Sequence, residues 1–237
     1  MLTKAIIIKK QNTNEYDQLI TCYTKELGKI TAIAKSILKP GSVQAMHLDV
    51  LNLVEFDLVD GRAMPIITGA QGENFYARMK NFLPALAAGY FLAEVLDKIF
   101  FEEEKDVELW NFAADFLNRL EAEPERATAI LRSGQATLLK LLGYFPMLEK
   151  CVFCSAEMKN TDRLALSLEM GGLLCQNCFL RGFRGVFLKK EDWAALISAP
   201  FTNDGASNKG RSVLDGLFEY TFDIRFQSLD FFYQVVR

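Results

Sequence analysis

The chain has 237 residues, half of them hydrophobic, enough apolar side chain for one large or two small cores that fold without extra staples. A formal charge of −3 and an isoelectric point near 5.4 exclude the uniformly basic surface of a chromatin or ribosomal protein, because affinity for phosphate backbones comes largely from clustered Lys and Arg. Any nucleic-acid surface must therefore be local.

The opening, Met1 to Lys9, has too short an apolar run for a signal peptide, and no small-residue cleavage site follows. No uncharged apolar run reaches membrane-spanning length, and Phe82 to Val95 carries Pro84, Gly89 and Glu94. The expectation is a cytoplasmic protein without membrane contact, in a compartment where thiols stay reduced. Five cysteines there are not read as two disulfides and a spare.

Residues 5–9, 17–24, 29–35, 48–59 and 64–68 are rich in β-branched and aromatic side chains, with Leu27-Gly28, Pro40-Gly41 and Asp60-Gly61 between them as turn signals. Asp60-Gly61 predicts a two-residue primed hairpin turn with positive φ. Five short strands with no room for a second sheet suggest a small closed barrel of the oligonucleotide-binding (OB) type. The sheet's third strand puts Thr31 and Ile33 on one face with Lys29 and Lys35, and Ile30, Ala32 and Ala34 on the other. Cys22 shares a face with Ile20 and reads as a small buried hydrophobe.

Helical periodicity begins near residue 76. Leu86, Tyr90, Ala93 and Leu96 fit one face of a first helix; Val107, Trp110, Ala114 and Leu117 fit a second; Ala127, Ile130, Leu131, Leu138 and Leu142 fit a third, started by Pro124 and ended by Gly143. Glu102 to Asp106 reads as a solvated loop. Residues 189–197 resume the helical pattern and 203–211 read as a polar loop. Residues 212–222 can form a helix with Ser212 as N-cap, and 224–236 are apolar enough to pack back onto the bundle.

Cys151-Val152-Phe153-Cys154 and Cys175-Gln176-Asn177-Cys178 are two C-x-x-C pairs separated by twenty residues, at the upper edge of common zinc-site spacing. Each pair sets two thiolates on one tight turn, and two facing turns supply a four-sulfur tetrahedron. A closed shell leaves no position for water, which points to a structural rather than a hydrolytic ion. Zinc, Zn2+, is the expected cofactor, one per chain; four thiolates also suit iron. The catalytic inventory is thin. His47 is the lone histidine, and no nucleophile elbow, phosphate-binding loop or dinucleotide fingerprint is present. The chain is therefore expected to bind rather than catalyse.

Residues 1–40 hold seven lysines against Glu15, Asp17 and Glu26, a balance of +4 that leaves −7 for the rest. Tyr23 and Lys25 share a face beside the Lys29 and Lys35 face. Adjacent aromatic and basic groups are what a single-stranded nucleic acid needs, stacking for bases and point charges for phosphates; lysines that merely solubilise an exposed sheet fit equally well.

These residues resemble the RecO family of bacterial recombination mediators. Glu15 to Lys29 followed by Ala34-Lys35 looks like the family's opening hairpin. Leu142-Gly143-Tyr144-Phe145-Pro146, the first cysteine pair, and Gly171-Gly172-Leu173-Leu174 leading into Cys175-x-x-Cys178 look like its most recognisable stretch. The resemblance implies an α+β, multidomain chain: an N-terminal OB-fold β-barrel over 1–78, then an α-helical domain over 79–237 with a four-cysteine zinc module inserted at 149–185. It implies binding of single- and double-stranded DNA, annealing of complementary strands and, with RecR, loading of RecA onto DNA coated by the single-strand-binding protein SSB, with nucleoid association during repair. By position it implies Lys35 and Lys39 as DNA-binding groups, with Lys29 and Arg62 as neighbours; Tyr23 and Lys25 join them from the charge pattern. Departures from the family are Ser36 and Ser155, where Gly is usual, and Leu38, often basic. The family's SSB-tail site falls in the helical domain, where Arg132, Lys140 and Leu138 on the third helix are the partner-binding candidates. The competing reading is a zinc-ribbon adaptor between proteins that does not touch DNA.

Overall fold

The computed structural model describes residues 1–158, 164–188, 196 and 211–236, so the helix expected over 189–197 and the loop expected over 203–211 lie, apart from Leu196 and Arg211, outside the described residues. The chain divides into two compact units, Met1–Glu125 and Arg126–Arg237.

In the first unit, strands β1 (Leu2–Asn12), β2 (Gln18–Thr24), β3 (Gly28–Ala34), β4 (Leu53–Val59) and β5 (Ile66–Asn74) close a barrel in the order β1-β2-β3-β5-β4. All neighbours are antiparallel except β3 and β5, whose parallel pairing of Ile33 with Ile66 and Ala34 with Ile67 seals the sheet. The alternation read from sequence decides the interior: Ile20, Cys22, Ile30, Ala32, Ala34 and Phe56 all face the barrel core. Ile6, Ile7 and Ile8 break the alternation, being buried in a row. Ile7 belongs to the barrel core, while a helix packs against β1 from outside and covers the other face. That helix is α3 (Leu83–Ile99), preceded by α1 (Gln44–His47) and α2 (Ala77–Asn81) and followed by α4 (Val107–Ala122). Pro84 sits in the first turn of α3, where its missing N–H is no loss. Asp106 caps α4 by accepting from the Glu108 and Leu109 amides at 2.8 and 3.0 Å.

Four expectations are corrected. The β4–β5 connection spans 60–65, since Val59 pairs with Ile66; Gly61 does not have the positive φ of a primed turn, and a Cβ there would meet the Met64 carbonyl oxygen at 2.2 Å, so close approach is what selects glycine. The strand expected from residue 48 begins at Leu53, because Leu51 is buried in a left-handed conformation, φ +68, that breaks an extended run. On the helices, Tyr90 and Val107 stand exposed, and α3 instead buries the stripe Ala85, Ala88, Leu92, Val95 and Leu96. Finally, Glu102 to Asp106 is more than a solvated loop, as the Glu103 amide donates to the Lys29 carbonyl at 2.8 Å and holds the segment against β3.

In the second unit, α5 (Ala127–Leu141) stops just short of Gly143, whose φ of +77 provides the turn that ends it. A three-stranded sheet, β7-β6-β8, is made from β6 (Ala165–Ser167), β7 (Gly172–Leu174) and β8 (Val186–Phe187), with α6 (Gln176–Leu180) between β7 and β8 in sequence. Helices α7 (Val213–Phe222) and α8 (Gln227–Val235) complete it. Ser212 caps α7 as expected, in a reciprocal box with Asp215. The fully buried Asp215 carboxylate accepts from Gln135 Nε2 on α5 at 2.8 Å, from the Tyr233 hydroxyl on α8 at 2.5 Å and from the Ser212 amide at 2.7 Å, joining three helices through one charge. Burial, and then the Asp215 charge, raises the Tyr233 phenol well above its usual range, so it stays a donor. Phe226, Leu229 and Phe232 pack α8 back as anticipated. No helix among the described residues is long and apolar enough to cross a membrane.

Gly28, at the β2–β3 turn, has φ +71, and a Cβ there would lie 2.0 Å from the Glu104 carbonyl oxygen. Gly28→Ala must therefore strain the backbone and push the 102–106 segment off β3. It is expected to lower the unfolding free energy by about 2–4 kcal/mol, read as a fall in the urea midpoint. A midpoint equal to wild type contradicts this packing.

Candidate nucleic-acid interface and metal centre

The register brings two loops to one end of the barrel. Asn12 pairs with Gln18, and Gln18 with Ala34. The loops 13–17 and 35–43 therefore share a rim, and exposed Lys35 and Lys39 share it with them. Loop 60–65 leaves from the other end, since β5 runs parallel to β3 and the end of β4 pairs with the start of β1, Asp57 opposite Leu2. Exposed Arg62 is therefore not part of that rim. Loop 13–17 is an Asx turn: Asn14 Oδ1 accepts from the Tyr16 and Asp17 amides at 2.9 and 2.8 Å, and Asn14 Nδ2 donates to Asp17 Oδ2 at 3.0 Å. Asp17 Oδ1 then takes the Ser36 amide at 2.6 Å, and the Leu38 amide donates to the Tyr16 carbonyl at 2.9 Å, tying the lysine-bearing loop to the turn. The Asn14 amide, the Ser36 amide and the charges of Lys35 and Lys39 hold the Asp17 carboxyl below its usual range. Lys39 Nζ sits 5.3 Å from the centre of the Tyr16 ring. Ser36 has φ +57, in the left-handed region that favours glycine.

The other DNA-binding candidates lie elsewhere. Lys25 is exposed at the opposite end, in the β2–β3 turn, where its amide donates to the Lys4 carbonyl. Tyr23 is fully buried, its ring edge-on to Phe100 at 6.3 Å. Lys29 is 8% exposed and its ammonium donates to the Asp97 carbonyl at 2.6 Å. That carbonyl lies in the last turn of α3, where the helix dipole favours a cation, so the charge is satisfied in the interior. Alternation placed Lys29 and Lys35 on one face correctly, but it could not reveal that α3 and the 100–106 segment cover the Lys29 half. Three further lysines are neutralised by acids: Lys4 by Glu73 at 2.5 Å, Lys9 by Asp97 at 3.0 Å and Lys10 by Asp49 at 2.5 Å. Lys25, Lys35, Lys39 and Arg62 form no ion pair among the described residues. Tyr16 escaped the sequence reading, although Asn14-x-x-Asp17 around it is a legible turn signal. His47 is structural: its Nδ1 accepts from the Gly72 amide at 3.0 Å and its ring lies 5.8 Å from Phe75.

In the second unit the two cysteine turns face each other as expected, and the four Sγ atoms of Cys151, Cys154, Cys175 and Cys178 all lie within 4.8 Å of one another. A tetrahedron of 2.3 Å metal–sulfur bonds has edges of about 3.8 Å, and Cys154 Sγ and Cys175 Sγ are 3.8 Å apart. Ser155, at φ +58, closes the first turn through its amide to the Cys151 carbonyl at 2.9 Å, a second serine in the left-handed region that favours glycine. Burial disfavours the charge on Cys151, but amides of Cys154, Cys175 and Phe153 outweigh it and bring the thiol down to about 6. Cys178 is pushed up to about 12, by burial first and then by bonds from the other three thiols. Four sulfurs this close cannot all ionise without a cation, so the donor set fits a metal ion. Cys22 is buried alone in the barrel, its thiol driven up by burial, and takes no part.

Of the partner-binding candidates, Leu138 is 1% and Arg132 6% exposed, so neither presents a surface; the leucine stripe of α5 is core. Lys140 is exposed, its Nζ 4.6 Å from the centre of the Phe145 ring, at the edge of a cleft of about 720 Å³ lined also by Pro146, Met147, Leu148 and Glu149.

A family model described as "Recombination protein O N terminal" matches residues 1–76, and one described as "Recombination protein O C terminal" matches residues 82–197. Relatives named "DNA repair protein RecO" include one from Moorella thermoacetica, 31% identical over 183 residues, covering 77% of this chain and 67% of that protein. Another, from Syntrophomonas wolfei, is 30% identical over 196 residues, covering 83% and 76%. A third, from Acetivibrio thermocellus, is 27% identical over 220 residues, covering 91% and 86%.

Removing one thiolate opens a shell whose binding energy is also folding energy. Cys175→Ser is expected to lose bound metal and several-fold in resistance to urea, whereas Cys22→Ala keeps the metal. Elemental analysis of both proteins checks this, and equal metal content would contradict a four-cysteine centre.

Proposed function

The chain belongs to the RecO family, and from that premise we propose that it is a recombination mediator that binds single- and double-stranded DNA, anneals complementary strands and, with RecR, helps load RecA onto SSB-coated DNA. The observation that carries the reading is the rim: two lysines with no ion pair among the described residues, Lys35 and Lys39, stand together at one end of an OB-type barrel, in a chain whose net charge is negative. A phosphate backbone is the ligand that such a local positive cluster fits. The activity uses binding energy and no covalent step, so the protein is not an enzyme in this reading, and it works in the bacterial cytoplasm, at the nucleoid during repair.

The ion in the four-cysteine centre is zinc, one per chain, because four thiolates in a closed tetrahedron are the donor set that structural zinc prefers. Its role is to hold the module at 149–185 within a helical domain over 79–237, the barrel domain being 1–78. The acidic, apolar-ended tail of SSB binds the helical domain at the cleft beside Lys140, where Phe145, Met147 and Leu148 offer apolar contact and the ammonium offers charge. A protein-adaptor reading draws on the apolar surface of the zinc module, where Leu180 is 71% and Phe187 50% exposed.

The double change Lys35→Glu and Lys39→Glu separates the two. If the rim binds phosphates, affinity for single strands and duplex should each fall roughly tenfold or more at moderate salt, with a native circular dichroism spectrum. Unchanged binding and annealing by a folded double variant would rule out the rim.

A further inference from the structure

We propose that Tyr16 is a stacking platform for an unpaired base, the group by which the rim distinguishes single-stranded from double-stranded DNA; the proposal rests on the DNA-binding reading of that rim. Residues 1–74 contain three aromatic side chains of the Phe, Tyr or Trp type. Tyr23 and Phe56 are in the interior, 0% and 1% exposed, whereas Tyr16 is 46% exposed. It stands in a turn whose other members are polar and exposed or half-exposed, so its ring adds nothing to the barrel core.

Tyr16 is nonetheless held. Its amide is bonded to Asn14 Oδ1, its carbonyl to the Leu38 amide, and the turn around it is tied to Ser36 through Asp17. A ring fixed at its backbone loses little further entropy when a ligand covers it, which is what a preorganised contact requires. Lys39 Nζ, 5.3 Å from the ring centre, binds the negative ring face and fixes a positive charge beside it. A base laid on the ring thus has its flanking phosphates within reach of Lys39 and its neighbour Lys35. Duplex DNA keeps its bases paired and offers the rim only phosphates. The ring and the cations therefore have separable effects: the cations act on both DNA forms and set the salt dependence, while the ring acts on the single strand and leaves that dependence alone.

The test is an anisotropy titration of the full chain with a labelled thymidine oligonucleotide and a hairpin duplex, each at two salt concentrations, for wild type, Tyr16→Phe, Tyr16→Leu and the Lys35→Glu, Lys39→Glu variant. Tyr16→Phe, which keeps the ring, should bind both DNAs within about twofold of wild type, and Tyr16→Leu should lose roughly tenfold on the single strand alone with an unchanged salt slope. Full single-strand affinity in Tyr16→Leu overturns the proposal, as does an equal loss on both DNAs, which would make the ring a positioning element for Lys39. Should the lysine variant weaken both DNAs while Tyr16→Leu is silent, stacking fails and the rim stands; a silent lysine variant removes the rim itself.

Discussion

The parallel pairing of β3 with β5 is the constraint on which the first unit depends. It is short, with Ile33 opposite Ile66 and Ala34 opposite Ile67, extended by the Ile33 amide donating to the Pro65 carbonyl at 2.9 Å. Without it the sheet would be an open meander with two unpaired edges, a state that invites association with other chains. With it the sheet closes and the inward residues of all five strands share one core. The loops after β1 and β3 meet at one rim because β2 pairs with both strands, Gln18 standing beside Asn12 and Ala34. The candidate interface is thus a consequence of topology more than of local sequence.

Electrostatics follow from the same geometry. The first forty residues carry an excess of lysine, but distance along the chain says nothing about which of those charges remains available. Asp97 at the end of α3 takes the Lys9 ammonium through its carboxylate and the Lys29 ammonium through its carbonyl, while Asp49 and Glu73 take Lys10 and Lys4. Lys35 and Lys39 form no ion pair among the described residues, and Asp17 beside them is occupied by the Asn14 and Ser36 amides. A chain with net charge −3 can in this way present a local positive surface, whose range is limited to about a Debye length, about 8 Å at physiological ionic strength.

Much of the architecture was legible in the residues. Period-2 alternation identified the barrel interior down to Cys22 and Ala32, and the two C-x-x-C pairs identified the metal donors, because both signals are local and strict. What failed was knowledge of what covers an outward face. Tyr23 and Lys29 follow the alternation correctly and are still buried, since their cover arrives from residues 97–106. Arg132 and Leu138 lie on a helix whose second side is also packed, which a stripe of leucines does not disclose. Ser36 and Ser155 show the converse: two serines that look neutral in sequence fall at φ +57 and +58, where glycine would have a physical reason to be.

The central claim is that the rim binds a phosphate backbone, and the salt dependence of oligonucleotide binding by the unmodified chain tests it most directly. With Lys35 and Lys39 each displacing a condensed counterion, log K for a single strand should fall linearly with log salt concentration with a slope of about −1.4, at roughly −0.7 per contact. Binding absent at low salt, or a slope near zero, would contradict it.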